Sequence, residues 1–196
     1  PHHPVFGEDK VDVVEWHSRG DDARKFAGLW DNAGDFYFFS MDDDLLYPND
    51  YVDRMIRFIR YWNHEIIACV HGSWIEELPA NSYYQDKSAV HFAHPLDEPR
   101  QVMFPGTGTA AWHTRALKPN EGKFPLRNIA DVQLALAAQG ASVPVLSIPR
   151  ENNWLQQHPD INALEDSIWA NRKDHDEDET DLINGFQEAV GWDYPS

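Results

Sequence analysis

Residues Phe36 to Pro48 read Phe-Tyr-Phe-Phe-Ser-Met-Asp-Asp-Asp-Leu-Leu-Tyr-Pro, and no other stretch constrains the fold as tightly. An aromatic run of this kind predicts a buried, central strand, and it ends in three adjacent carboxylates, Asp42, Asp43 and Asp44. The carboxyl end of a strand is where open α/β sheets bind ligands. If the chain stays extended there, alternation places Asp42 and Asp44 on one side and Asp43 on the other, so the outer pair can converge on a hard divalent cation. Magnesium or manganese bound by only one or two carboxylates completes its shell with water and substrate phosphates, which points to a phosphorylated substrate. The plainer alternative is a solvated turn that caps the next helix. Against it, three neighbouring like charges cost energy that a turn does not require. The next helix also has Asn49 as its own cap, with Asp50 in its first turn.

The chain has 196 residues, 42% hydrophobic and 13% aromatic, enough to bury a sizeable core and to exclude a disordered protein. One domain is expected over residues 1–196, with a core at about 10–150 and a C-terminal helical extension at about 151–196. A net charge of -17 with no basic stripe argues against DNA or RNA as a partner. The single cysteine, Cys69, lies in the apolar run Ile66 to Val70 and reads as a buried structural thiol. No apolar run approaches the ~20 residues of a membrane span. The N-terminus also lacks a signal-peptide pattern, so cytoplasmic residence is expected.

Along the chain, strands are predicted at Val11 to Trp16, Asp35 to Ser40 and Ile66 to Val70. Between them fall a short helix or ordered loop at Asp21 to Trp30 and an amphipathic helix at Asn49 to Trp62, with Tyr51, Met55, Phe58, Ile59 and Trp62 on its apolar stripe. This succession predicts an α/β fold with mostly parallel pairing through crossovers, flanked by helices. Gly72 to Pro105 loses periodicity and reads as an irregular, pocket-shaping insertion with short strands at Ala89 to Ala93 and Gln101 to Phe104. Ala110 to His113 and Val143 to Ile148 read as further strands, and Ile129 to Gln139 as a helix ended by Gly140. Beyond Pro149 the chain turns polar, with helices expected at Asn162 to Lys173 and Leu182 to Val190 around the charge run Asp174 to Asp181.

Four blocks, taken in order, carry a resemblance: Gly20-Asp21-Asp22-Ala23-Arg24-Lys25-Phe26, Phe39 to Val52 around the aspartates, Gly106-Thr107-Gly108-Thr109-Ala110-Ala111-Trp112-His113, and Asn128-Ile129-Ala130-Asp131-Val132. Together they resemble the GT-A class of nucleotide-diphospho-sugar glycosyltransferases, nearest to bacterial members that build surface polysaccharides. The resemblance implies a GT-A-like, Rossmann-like mixed sheet. Enzymes of that class begin with a strand and helix that form part of the nucleotide site; little precedes Val11 in this sequence, so either that first unit is lost or another segment replaces it. Arg24 stands where the resembling sequences tend to have glycine.

The resemblance also implies site residues. The triplet corresponds to the DXD motif, which binds Mn2+ or Mg2+ against the donor diphosphate; Asp44 would be the principal metal ligand, Asp42 would lie toward the ribose as well as the metal, and Asp43 would contact the donor sugar or support the loop. Asp22 and Lys25 would touch the nucleotide. Asp131 would take the proton from the acceptor hydroxyl in an inverting transfer, or else merely charge the amino terminus of its helix. Some such enzymes add a histidine from the C-terminal segment to the metal, for which His175 is the first candidate and His158 the second. Gly106-Thr107-Gly108-Thr109 lacks the ending of a phosphate loop and lets the backbone pass close to donor or acceptor, or forms a plain turn. Trp74, Tyr83, Tyr84, Trp112 and Trp154 could stack on a sugar, with core packing as the default.

The expected partners are therefore a nucleotide-diphospho-sugar donor and a saccharide or other hydroxyl acceptor, the latter membrane-proximal or not. Two other classes remain open. One is a metal-dependent phosphohydrolase or nucleotidyltransferase using the same triplet, although Leu45-Leu46 does not supply the Thr or Val of the haloacid-dehalogenase pattern. The other is a non-catalytic glycan- or nucleotide-binding module of transferase fold.

Overall fold

A computed structural model of the chain describes residues 22–159 and 174–194. The strand expected at Val11 to Trp16 and the helix expected at Asn162 to Lys173 lie outside the described residues. A short 3-10 stretch, Asp22–Phe26, leads into α1 (Ala27–Asp31), β1 (Tyr37–Met41), β2 (Leu45–Leu46), α2 (Tyr51–Tyr61), β3 (Ile67–Cys69) and β4 (Gly72–Ile75). After them come α3 (Tyr83–Asp86), β5 (Lys87–Val90), β6 (Arg100–Val102), β7 (Phe104–Pro105) and β8 (Thr109–His113). The chain continues through α4 (Ala130–Gly140), β9 (Val145–Ser147), β10 (Gln156–Gln157) and α5 (Glu177–Ala189).

The main sheet is mixed, in the order β1-β8-β3-β9-β6, with helices on both faces. The expectation of mostly parallel pairing is corrected: only β3 and β9 pair in parallel, and the other three junctions are antiparallel. The reason is topological. β1 and β3 run the same way, as a strand-helix-strand crossover requires, but β8 returns between them and pairs antiparallel with both. All five residues of β8 are buried, as befits an interior strand; among the described residues β1 is an outer strand of the sheet, not a central one.

Period-two alternation divides the core. Ile67 and Cys69 of β3, Ala110 and Trp112 of β8, and Val145 of β9 face Phe26, Leu29, Phe124 and Leu134, on the side covered by the Asp22–Phe26 stretch, α1 and α4. Ala68, Ala111 and Leu146 face Tyr51, Met55 and Ile59, the stripe of α2. Trp112 is fully buried, packed on Phe26 and Phe38 at 6.2 Å and 4.9 Å, with its indole N-H donating to Leu117 O at 2.8 Å. It is core, not a sugar platform. Burying a large side chain of this kind is worth roughly 2–3 kcal/mol. Cys69 is buried and its thiol is pushed up to about 12, as expected of an inert structural thiol.

Gly72 to Pro105 is more regular than expected. β5, β4 and β7 form a second, antiparallel sheet, and Tyr83, Phe104, Val132 and Ile183 make a core between it, α4 and α5. The C-terminal part is likewise built in: β10 pairs with β2, and α5 begins at Glu177, five residues before the expected Leu182. Helix α4 ends at Gly140 as expected, yet the left-handed residue of the turn is Ser142, with φ of 55°. No helix among the described residues is long and apolar enough to cross a membrane.

Candidate functional site

Asp42, Asp43 and Asp44 follow β1, but not as an extended segment. Asp43 and Asp44 form a turn into β2, so a turn and not strand alternation sets their directions. The turn is fastened from two sides. Tyr47 places its hydroxyl between the two segments, accepting from Asp42 N at 2.8 Å and donating to Gly108 O at 2.5 Å. His158 N donates to Asp44 O at 2.8 Å, extending the β10-β2 ladder by one rung.

Helix α2 is not capped as expected. Its N-cap is Asp50, without a side-chain bond to the helix; that carboxylate instead accepts from Trp154 Nε1 at 3.0 Å. Trp154 stacks on Tyr51 and under Arg54, which joins it to the core of this face.

Three of the four sequence blocks meet at Asp42. Lys25 Nζ lies 2.5 Å from Asp42 Oδ1, with the two side chains 21% and 40% exposed. Gly108 lies against the other oxygen: a Cβ at this position would fall 2.0 Å from Asp42 Oδ2, so the carboxylate can occupy this place only because residue 108 has no side chain. The loop is held by Thr109, whose hydroxyl accepts from His71 N at 2.9 Å and donates to Gly106 O at 3.1 Å. Burial, and then the Asp42 charge, raise the Asp44 carboxyl above the usual range. Asp43 is exposed.

The first block also meets the fourth, at the start of α4. Ala130 N donates to Asp22 Oδ2 at 2.9 Å, so Asp22 satisfies a free amide of the first turn from across the fold. Asp131 is therefore relieved of capping. Its Oδ2 accepts instead from the hydroxyl of Tyr83 at 2.5 Å, a residue only 1% exposed; burial, and then the Asp131 charge, raise the phenol's titration well above its ordinary value. Lys87 completes this corner, with Nζ 4.2 Å from the centre of the Tyr83 ring and 4.1 Å from that of Tyr84. Burial lowers its titration, opposed by the charges of Asp131, Glu179 and Asp176.

The stretch Asp22–Phe26 thus spans both places, with Lys25 on Asp42 and Asp22 beside Asp131. His175 falls elsewhere. It is exposed ahead of α5, and the next residue, Asp176, is held by Ser82 Oγ at 2.7 Å and Tyr84 N at 2.8 Å. Among the described residues no three His, Cys, Asp or Glu side chains are grouped, so the structure does not bring His175 together with Asp42 and Asp44. The second candidate, His158, is the histidine beside Asp44 in the fold.

The residues that sequence reasoning missed are Tyr47, Thr109, Lys87 and His71. His71 follows β3, is largely buried against Gly106, and has no hydrogen-bond partner for Nδ1 among the described residues; burial, then His91, lowers its imidazole to about 4. Of these, only Tyr47 carries a local signal, standing five residues from Asp42.

What remains available for a divalent cation is a pair of hard carboxylate oxygen donors, Asp42 and Asp44, crowded enough to raise the titration of one. Such a pair fits a magnesium or manganese ion shared with phosphate oxygens, and does not fit one held by protein ligands alone. Comparison with known proteins found no family model that matches the chain and no curated protein similar to it.

Proposed function

We propose that the chain is a metal-dependent glycosyltransferase with a GT-A-like fold, moving a sugar from a nucleotide-diphosphate donor to a hydroxyl acceptor in glycan or polysaccharide synthesis. The supporting observation is convergence. Lys25 contacts Asp42, Gly108 packs against Asp42, and Asp22 holds the amide next to Asp131, so four blocks separated by up to about a hundred residues in sequence are linked through direct contacts.

In this reading Asp42 and Asp44 hold Mn2+ or Mg2+, which when bound neutralises charge on a departing diphosphate. Gly108 keeps the wall of the site to bare backbone. Asp131 receives the proton of the acceptor hydroxyl as its oxygen bonds to the anomeric carbon and the bond from that carbon to the phosphate oxygen breaks, leaving the electron pair on the nucleotide diphosphate. Tyr83 occupies Oδ2 of Asp131 and so leaves Oδ1 for the acceptor. A base in this position contributes about 10²- to 10⁴-fold. The inverting course rests on the resemblance.

Calorimetric titration of UDP, GDP and CDP, with and without Mn2+, tests the reading, followed by a panel of sugar nucleotides assayed for hydrolysis and transfer. One diphosphate is expected to bind only with the metal, and binding is expected to be lost when Asp42 and Asp44 are both changed to Asn. Glycan binding without any metal-dependent nucleotide binding would replace the transferase by a binding module.

A further inference from the structure

We propose that Lys25 is an exchangeable counter-cation, which neutralises Asp42 in the ligand-free protein and moves to the anionic ligand when a divalent ion takes its place; this deepens the transferase reading and rests on it. The geometry at Asp42 sets up a competition. Oδ1 is in contact with Lys25 Nζ at 2.5 Å, and Oδ2 is walled by the backbone of Gly108, where even a methyl group would lie 2.0 Å away. A cation that reaches the Asp42 carboxylate therefore competes with Lys25 for it.

The rest of the structure permits that exchange. The backbone carrying Lys25 is fixed: Ala23 and Phe26 are fully buried, and Asp22 is bonded to Ala130 N at 2.9 Å. The side chain itself is partly exposed, at 21%, and a lysine stem with three rotatable donors can re-aim its ammonium without moving the chain. A partly exposed ion pair is worth little, so a divalent ion can displace it at small cost. Once released, the ammonium stands beside a site occupied by phosphate oxygens, which it can meet as a point charge.

The inference predicts a reversal of sign. Mn2+ binding to the full chain is followed by electron paramagnetic resonance, alone and with UDP, GDP or CDP, for the wild type, Lys25→Met and Lys25→Arg. With the competing charge removed, Lys25→Met is expected to bind Mn2+ alone about tenfold more tightly, and Mn2+ with the nucleotide diphosphate about tenfold more weakly. Lys25→Arg, which keeps the charge, is expected to follow the wild type. If Lys25→Met shifts both affinities in the same direction, or neither, exchange is overturned while the metal site stands. If no variant binds Mn2+ under any condition, the transferase reading fails, and the exchange with it.

Discussion

At the amino end of β1, the hydroxyl of Tyr37 accepts from Arg60 Nε at 3.0 Å and is hydrogen-bonded to His64 Nε2 at 2.6 Å, while the ring of His113 meets Tyr37 edge-on at 4.9 Å. Arg115 lies 3.8 Å from Asp35. At the carboxyl end of the same strand, Asp42 and Asp44 crowd like charge, a glycine is required to make room for one of them, and the nearest cation is a partly exposed lysine. A groove of about 360 Å³ lined by Trp62, Arg115 and Pro144 opens at the amino end, away from the aspartates. The contrast teaches where to look for chemistry. Size of a hollow is a weaker guide than unmet electrostatics: the amino end closes its polar groups on one another, whereas the carboxyl end keeps charges that a ligand can relieve.

The largest test of that contrast is Asp131→Asn. The amide oxygen can still accept from Tyr83, so folding is expected to persist while transfer falls about 10²- to 10⁴-fold, measured as initial rate at saturating donor. Transfer at the wild-type rate would reduce Asp131 to a helix charge and remove the chemical distinction between the two ends.

The next test is acid. Burial lowers the folded His71 imidazole from the ordinary 6.5 to about 4, so between these values the unfolded chain takes up the proton and the folded one does not. The associated stability is complete above about 6.5 and is lost as pH falls toward about 4, amounting to roughly 3 kcal/mol. Urea midpoints measured across that window are expected to fall in the wild type and to flatten in His71→Gln. An equally steep fall in the variant would assign the acid sensitivity to other lowered imidazoles, such as His91 and His113.

The smallest expected effect is that of Tyr37→Phe. Loss of one shared hydroxyl should cost about 1 kcal/mol of stability in denaturant titration and leave nucleotide binding unchanged. A loss of nucleotide binding would show that the two ends are coupled.

Local sequence carried the elements well where a single periodicity governed them. Tyr51, Met55 and Ile59 repeat every four residues and are buried together on α2, and the apolar runs at Ile66 to Val70 and Val143 to Ile148 contain β3 and β9. It failed where pairing partners decide. Nothing in Phe36 to Ser40 says that its neighbour is a strand some seventy residues later running the other way, because an aromatic run is equally compatible with an edge or a centre. The irregular look of Gly72 to Pro105 has the same cause, since short strands in a small antiparallel sheet leave too few residues for a period to emerge.

The candidate site divides along the same line. Sequence alone determined that three carboxylates end an apolar strand, that a glycine pair precedes another, and that an acid opens α4, since these are properties of neighbouring residues. Only the tertiary structure decided that Asp22 caps α4 and leaves Asp131 to Tyr83, that Lys25 holds Asp42, and that the backbone of His158 stands beside Asp44. Those outcomes depend on which long-range contacts close, and a hydrogen bond between residues a hundred positions apart leaves no trace in the local pattern of either.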